Sequence, residues 1–270
     1  MINPATVVNK NWVRRAFDKA ATSYDDAAVL QREVCVRMLE HLDPVKMVPE
    51  TILDIGAGTG FGVGLLMKRY KKARITAIDL APEMLKLAAK QGSWLRRPEV
   101  LCADADHLPI ADNSVDMIVS SLMLQWSGDL ERTFREFKRV LKPGGVLMFA
   151  TFGPDTLMEL RNSWAQVDAD GHVNQFVDMH DVGDALQRSQ FADPVMDREM
   201  LTLTYSKVTD LMRDLKAIGA NTPSNGRRKG LMTAKTLSAV EQVYEQYRQN
   251  GVLPASYEIV YGQAWITESN

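Results

Sequence analysis

Cysteine and histidine are scarce in this sequence. Cys35 and Cys102 are the only two cysteines among 270 residues, too few for a disulfide framework, a zinc ribbon or a three-cysteine iron–sulfur cradle. Radical chemistry on such a cluster is thereby excluded, and a reducing cytoplasm is the expected compartment. The four histidines, His41, His107, His172 and His180, lack metal-ligand spacing, and there is no Gly-x-Ser-x-Gly nucleophile elbow. No metal ion is expected. Long apolar runs are missing too. The longest stretch free of Asp, Glu, Lys and Arg runs from Ile55 to Met67 and is glycine-rich, well short of the roughly 18 apolar residues of a membrane helix. Charge is balanced, with 32 basic against 34 acidic residues and a net charge of −2, so the strong basic excess of a dedicated nucleic-acid binder is absent. The first acidic residue is Asp18, and Lys10, Arg14 and Arg15 precede it. This pattern raises a transit peptide, but an ordinary amphipathic helix is the expected reading, and there is no apolar core of a secretory signal.

What the sequence does hold is alternation. From Thr51 onward, short β-rich runs (Thr51–Ile55, Arg74–Ile78, Val100–Ala103, Met117–Ser120, Gly145–Thr151) alternate with helical patterns over 62–70, after Pro82 and over 130–141. This predicts parallel βαβ units in an open α/β sheet. Leu141-Lys-Pro-Gly-Gly145 stops the last of these helices with residues that cannot continue it. Before the sheet, a helix around 8–20 precedes one carrying Leu30, Val34 and Met38; both are expected to pack over one end of the sheet. After Thr151 come helices near 155–167 and 179–190 with a polar loop between them, and a strand around Met200–Tyr205. A helical stretch over 207–249 and a last strand near 256–266 follow. The expected division is a single domain over 1–270, with N-terminal helices at 1–48 and a cofactor-binding core at 49–153. Cap insertions are placed at 154–190 and 206–250, and final strands at 191–205 and 255–267.

The chemistry concentrates at the first strand. In Ile52-Leu-Asp-Ile-Gly-Ala-Gly-Thr-Gly60, Asp54 ends the strand, and Gly56, Gly58 and Gly60 open the turn into a helix. Without a Cβ in the way, backbone can approach a ligand beside the positive end of that helix. A dinucleotide fingerprint needs glycines at relative positions one, three and six; the sixth place holds Phe61, Val63 or Leu65, so that pattern fails. Asp54-x-Gly-x-Gly-x-Gly60 instead resembles the first motif of class I methyltransferases, whose loop wraps the methionine part of S-adenosylmethionine. Asp79, ending the second strand, can accept both ribose hydroxyls. The resemblance assigns Asp104 to the adenine amino group, and implies Leu80, Ala105 and Ser121 as the remaining cofactor contacts. Acidic residues at the carboxyl ends of three successive strands are far more specific than any one of them.

Methyl transfer from a sulfonium needs alignment and desolvation rather than a metal or a covalent intermediate. A carboxylate acceptor is already ionised near neutral pH and needs no general base. In Ser120-Ser-Leu-Met-Leu-Gln-Trp126, after the fourth strand, Gln125 can hydrogen-bond an acceptor and Trp126 can wall it from water.

Beyond the cofactor motif, Phe17-Asp-Lys-Ala-Ala-Thr-Ser-Tyr-Asp25, Leu122-Met-Leu-Gln-Trp126, His172-Val-Asn-Gln-Phe176, Leu215-Lys-Ala-Ile-Gly-Ala-Asn221 and Leu253-Pro-Ala-Ser-Tyr-Glu258 resemble segments of the BioC family of malonyl-acyl-carrier-protein O-methyltransferases of biotin synthesis. The resemblance implies a Rossmann-like methyltransferase sheet of seven mostly parallel strands, the last antiparallel, with helices on both faces and a helical cap. The implied reaction esterifies the free malonyl carboxylate on acyl carrier protein, leaving S-adenosylhomocysteine. Tyr24 is expected to close over the cofactor, and His172 and Phe176 to lie on the cap near the acceptor. Carrier protein is acidic, and the basic clusters Arg14, Arg15 and Arg227, Arg228, Lys229 are candidates to steer it. The alternatives are a small-molecule methyltransferase, an adenosylmethionine-binding assembly factor without turnover, and an arginine hydroxylase of the complex I assembly type.

Overall fold

In the computed structural model, which describes residues 8–168, 172–220 and 233–267, the apolar runs pair into one sheet. Its strands are β1 (Thr51–Ile55), β2 (Arg74–Asp79), β3 (Glu99–Cys102), β4 (Val115–Ser121), β5 (Leu141–Phe152), β6 (Ala192–Tyr205) and β7 (Leu253–Trp265), in the order β3-β2-β1-β4-β5-β7-β6. The first five are parallel, and β7 runs antiparallel to both of its neighbours. The chain reverses its direction of travel across the sheet between β1 and β4, and the carboxyl ends there splay into the crevice where open α/β sheets bind ligands.

Period-two alternation sorts the strands onto two cores. Ile52, Met117, Val119, Val146, Met148 and Ala150 face one side, whereas Leu53, Ile55, Ile118, Leu147 and Phe149 face the other. The second side is covered by α6 (Leu130–Val140), capped by the Asp129 side chain on the Arg132 N–H, and by α8 (Met179–Arg188), capped by Asp178. Phe134 and Phe137 of α6 are fully buried there with Phe149. Each such side chain contributes roughly 1.5–3 kcal/mol through burial.

The first side is covered by α3 (Val29–Glu40), α4 (Phe61–Arg69), α7 (Met158–Ala165) and α10 (Ala234–Tyr244). The placement of α3 differs from the expectation of a helix over the sheet's end. Leu30, Val34, Cys35, Met38 and Leu39 are all buried, a stripe wide enough to cover the face of β4 and β5. Only α1 (Lys10–Ala20) and the short α2 (Tyr24–Ala27) lie over the end, beside α5 (Pro82–Ala88) and α9 (Val208–Ala217).

Strand β6 reaches back beyond the apolar run at Met200–Tyr205 to Ala192, filling the 191–205 span expected for a final strand. It is an edge strand with one side in solvent, and the left-handed Asp193 (φ 47°) with Pro194 forms a bulge where the register to β7 shifts. Within the long helical stretch expected over 207–249, the structure describes α9 and α10; the segment carrying Arg227, Arg228 and Lys229 lies outside the described residues. Among the described residues, no helix is long and apolar enough to cross a membrane.

Candidate active site

A cleft, partly open to solvent, occupies the carboxyl ends of β1 to β4, the position at which open α/β sheets bind ligands. Its floor is the glycine turn. Gly56, Gly58 and Gly60 all have positive φ, at 77°, 53° and 87°, yet each meets a different neighbour. A Cβ on Gly56 would stand 2.4 Å from Met123 Cβ, and one on Gly60 2.7 Å from the Ala88 backbone. Gly58 has nothing within 4 Å and lines the open cleft. Gly56 and Gly60 are therefore glycines for packing, Gly60 lying outside the lining, while Gly58 keeps the ligand's space free.

Asp79 organises the turn. Its Oδ2 accepts from the Gly58 N–H at 2.9 Å and its Oδ1 from the Ala81 N–H at 2.8 Å. Burial pushes this carboxyl above the ordinary range, and the two backbone donors oppose that rise. Asp54, 4% exposed, sits behind the turn, with one oxygen 2.9 Å from where a Cβ of Gly62 would be. Among the described residues no hydrogen bond or ion pair satisfies it. Burial, and then the charge of Asp79, raise its carboxyl to about 7. The thiol of Cys35, hydrogen-bonded to Ser121, is pushed up to about 12 by burial and by Asp54. With no facing cation among the described residues, these two buried acids, Asp79 lining the cleft and Asp54 behind its lining, favour a positively charged ligand.

The far end of the cleft carries Asp104 and Asp106. Lys10 Nζ lies 2.5 Å from Asp104 Oδ1 and also pairs with Asp106. Burial works against ionisation of Asp104, but Lys10 and the Asp106 N–H outweigh it, and the group stays below the ordinary carboxylate range. The roof is α1 with the start of α2. Lys10, Val13 and Phe17 recur on one face of α1 and line the cleft together with Tyr24. Phe17 packs edge-on against Trp126 at 5.5 Å and lies 6.5 Å from Tyr24. Burial, then Asp79 and Asp25, raise the Tyr24 phenol well above its ordinary value, so it stays protonated and remains a donor.

Of the residues expected from sequence, Tyr24, Gly56, Gly58, Asp79, Leu80, Asp104, Ala105, Ser121 and Trp126 line this cleft. Others are held elsewhere. The Gln125 amide donates to the Leu122 carbonyl at 2.5 Å, and Thr151 donates to its oxygen at 3.4 Å. His172 stacks on Trp164 at 3.7 Å with Nε2 2.5 Å from Asp168, and Phe176 packs on Phe152 at 5.3 Å. Arg14 and Arg15 are exposed on α1, away from its cleft-lining face, Arg14 lying 3.6 Å from Asp18. Sequence reasoning missed Lys10, Val13, Asp106 and Met123; the spacing of Lys10, Val13 and Phe17 was the available signal for the first two.

The donor set suits S-adenosylmethionine. Gly58 leaves room beside the turn, the unpartnered Asp54 and the twice-donated Asp79 supply negative potential toward an ammonium and a sulfonium, and Asp104 keeps Oδ2 without a hydrogen bond among the described residues.

The family described as "Methyltransferase domain" matches residues 53–149, the stretch holding β1 to β4 and most of β5. The YcgJ protein from Bacillus subtilis shares the fold with a TM-score of 0.61 at 18% identity, covering 88% of this chain and 99% of that one. Sheet order, glycine turn and acidic strand ends together define an S-adenosylmethionine-dependent methyltransferase of the open α/β class. Similarity then extends through both cap insertions. A protein of Laribacter hongkongensis named malonyl-[acyl-carrier protein] O-methyltransferase is 51% identical over 269 residues, covering 97% of this chain and 91% of that protein. One of the same name from Halorhodospira halophila is 48% identical over 268 residues, covering 98% and 91%. This chain belongs to the malonyl-[acyl-carrier protein] O-methyltransferase family.

Proposed function

We propose that the protein methylates the free carboxylate of malonyl-acyl carrier protein, giving the methyl ester that starts the pimeloyl chain of biotin. The observation that carries this reading is identity of about one half over nearly the whole chain, caps included, to proteins named for that reaction. Bound S-adenosylmethionine supplies a methyl group on a sulfonium. Asp79 would hold the ribose, Asp104 the adenine amino group, and the turn around Gly58 the methionine portion.

The chain's own residues align and dry the site. Orientation of this kind contributes roughly 7–11 kcal/mol when the reacting atoms are well placed. The Tyr24 hydroxyl, held protonated, donates to an acceptor carboxylate, while Phe17 and Trp126 exclude water. A carboxylate acceptor explains why the cleft needs no general base. Gln125, His172 and Phe176 enter this reading as supports of the acceptor side. Gln125 fixes the loop from Leu122 to Trp126, and His172 with Phe176 packs the cap onto Trp164 and onto Phe152 at the end of β5.

Carrier protein is expected to dock on the outer face of α1. Arg15 and Lys19 there are exposed with no ion pair among the described residues, as is Lys216 of α9. The two helices meet where Gly219 approaches Ala16 so closely that a Cβ would stand 3.2 Å from its carbonyl oxygen. Arg227, Arg228 and Lys229 belong to the same reading by sequence alone. Formation of adenosylhomocysteine is the test, with malonyl-acyl carrier protein compared against malonyl-coenzyme A and acetyl-acyl carrier protein. Turnover that depends on the malonyl group and favours the carrier protein is expected; equal turnover of small thioesters would favour a small-molecule methyltransferase.

A further inference from the structure

The roof of the cleft is fastened unevenly. The carboxyl-terminal half of α1 is tied down three times: Asp18 accepts from the Glu83 N–H at 3.0 Å, Gly219 abuts Ala16, and Ala20 is buried against Ala81 and Met84. At its first turn the described residues offer one ion-pair anchor, Lys10, whose ammonium reaches across the cleft to Asp104 and Asp106. That anchor point is itself built. Asp106 is 7% exposed, and its other oxygen accepts from Thr133, whose hydroxyl also bonds Ser127 at the cleft's rim. Asp104 Oδ1 takes both Lys10 and the Asp106 N–H, which fixes the carboxylate's rotation and leaves Oδ2 as its remaining acceptor.

We propose that Lys10 is the latch of the cofactor cleft: its pair with Asp104 and Asp106 holds α1 shut over the adenine end and aims Asp104 Oδ2 at the adenine amino group. The inference rests on the cofactor reading above and adds to it a positioning residue on a different element from the cofactor motif. Because Oδ2 stays available, the pair persists with cofactor in place, and ligand leaves only when the latch opens. A pair that is partly solvent-exposed, with Lys10 and Asp104 side chains 28% and 32% accessible, opens more readily as salt rises.

The test is stopped-flow dissociation of adenosylhomocysteine, followed by tryptophan fluorescence, together with hydrogen exchange of the α1 amides in the ligand-free protein. Lys10→Met is expected to speed dissociation about tenfold, to speed association as well, and to increase exchange over 11–15. Lys10→Arg, which retains the pair, restores slow release. Asp106→Asn reproduces the acceleration from the opposite wall, and the double variant adds little to either single one, as expected of one shared interaction. Wild-type release should accelerate with salt and that of Lys10→Met should not. Unchanged release and exchange in Lys10→Met and Asp106→Asn overturn the latch. So does slower release in Lys10→Met, which would make the ammonium a competitor for the adenine site. Wild-type protein that binds no adenosylhomocysteine would instead remove the cofactor reading itself.

Discussion

Asp54 and the glycines that follow it divide labour between holding the fold and holding a ligand. Asp54 is a buried acid whose carboxyl lies at about 7 instead of 3.8. An acid raised in the folded state loses stability as pH climbs: the unfolded chain ionises first, and the deficit is complete once pH passes the folded value. Asp54→Asn should therefore gain on the wild type in thermal unfolding from about pH 4 upward, levelling above about pH 7 at no more than roughly 4 kcal/mol. A cationic ligand draws the same proton off. Affinity for adenosylmethionine should rise between about pH 5 and 7 in the wild type and stay flat in Asp54→Asn, as titrations across that window would show. The glycines separate by neighbour. Gly60→Ala carries a left-handed penalty of about 1–2 kcal/mol and in addition collides with the Ala88 backbone, which should lower stability by about 1–3 kcal/mol more. Gly58→Ala meets no protein atom; it should fold with a left-handed penalty of about 1–2 kcal/mol and lose tenfold or more in cofactor affinity. Equal unfolding temperatures for the two variants would contradict this division. The acidic residues and the glycine turn were legible because strand ends and tight turns are local features. Lys10 was not, because its partners lie 94 and 96 residues away and only the packing of α1 brings them together.

At the scale of elements, the strands from β1 to β4 fall within one or two residues of their apolar runs, since buried parallel strands must be continuously apolar, whereas β5 starts four residues early, where Leu141 pairs with Val115 ahead of a register shift. Helix α3 departed from its expected place over the sheet's end, whereas edge strand β6 fills its expected 191–205 span and reaches well beyond the apolar run at its end. Half of β6 faces solvent and the strand carries Asp197, Arg198 and Glu199 in succession, so its pairing with β7, not its polarity, makes it a strand. Helix α3 has an apolar stripe that reads equally well as an end cap or a face cover, and only the uncovered face of β4 and β5 decides. His172 and Phe176, assigned to the acceptor side by resemblance, pack on Trp164 and Phe152, contacts between distant segments that local spacing does not show. Helix α1 presents Lys10, Val13 and Phe17 inward while Arg14 and Arg15 are exposed, so the carrier contacts proposed for these arginines would lie on a different face from the cleft. Charge reversal of Arg14 and Arg15 to Glu should raise KM for malonyl-acyl carrier protein about tenfold at low salt and less at high salt, with adenosylhomocysteine affinity unchanged. A parallel loss of cofactor affinity would place those arginines in the cleft instead.

For the whole molecule, an open sheet offers one crevice where its strand order reverses, and the two helical layers leave that crevice uncovered from below. The amino-terminal helices supply the roof, and the cap between β5 and β7 supplies the flank beside Phe152. Both additions lie outside the matched domain at 53–149, and the family relatives share them because the likeness spans nearly the full chain. The proposed function assigns acceptor choice to the added helices, which also roof the cleft at the carboxyl ends of the sheet. The most direct measurement is the intact mass of malonyl-acyl carrier protein after incubation with the protein and adenosylmethionine. A gain of one methyl group carried on the malonyl group, and that acetyl-acyl carrier protein never acquires, is the predicted result; adenosylhomocysteine formed with no such gain, or a gain on the acetyl form, would contradict it.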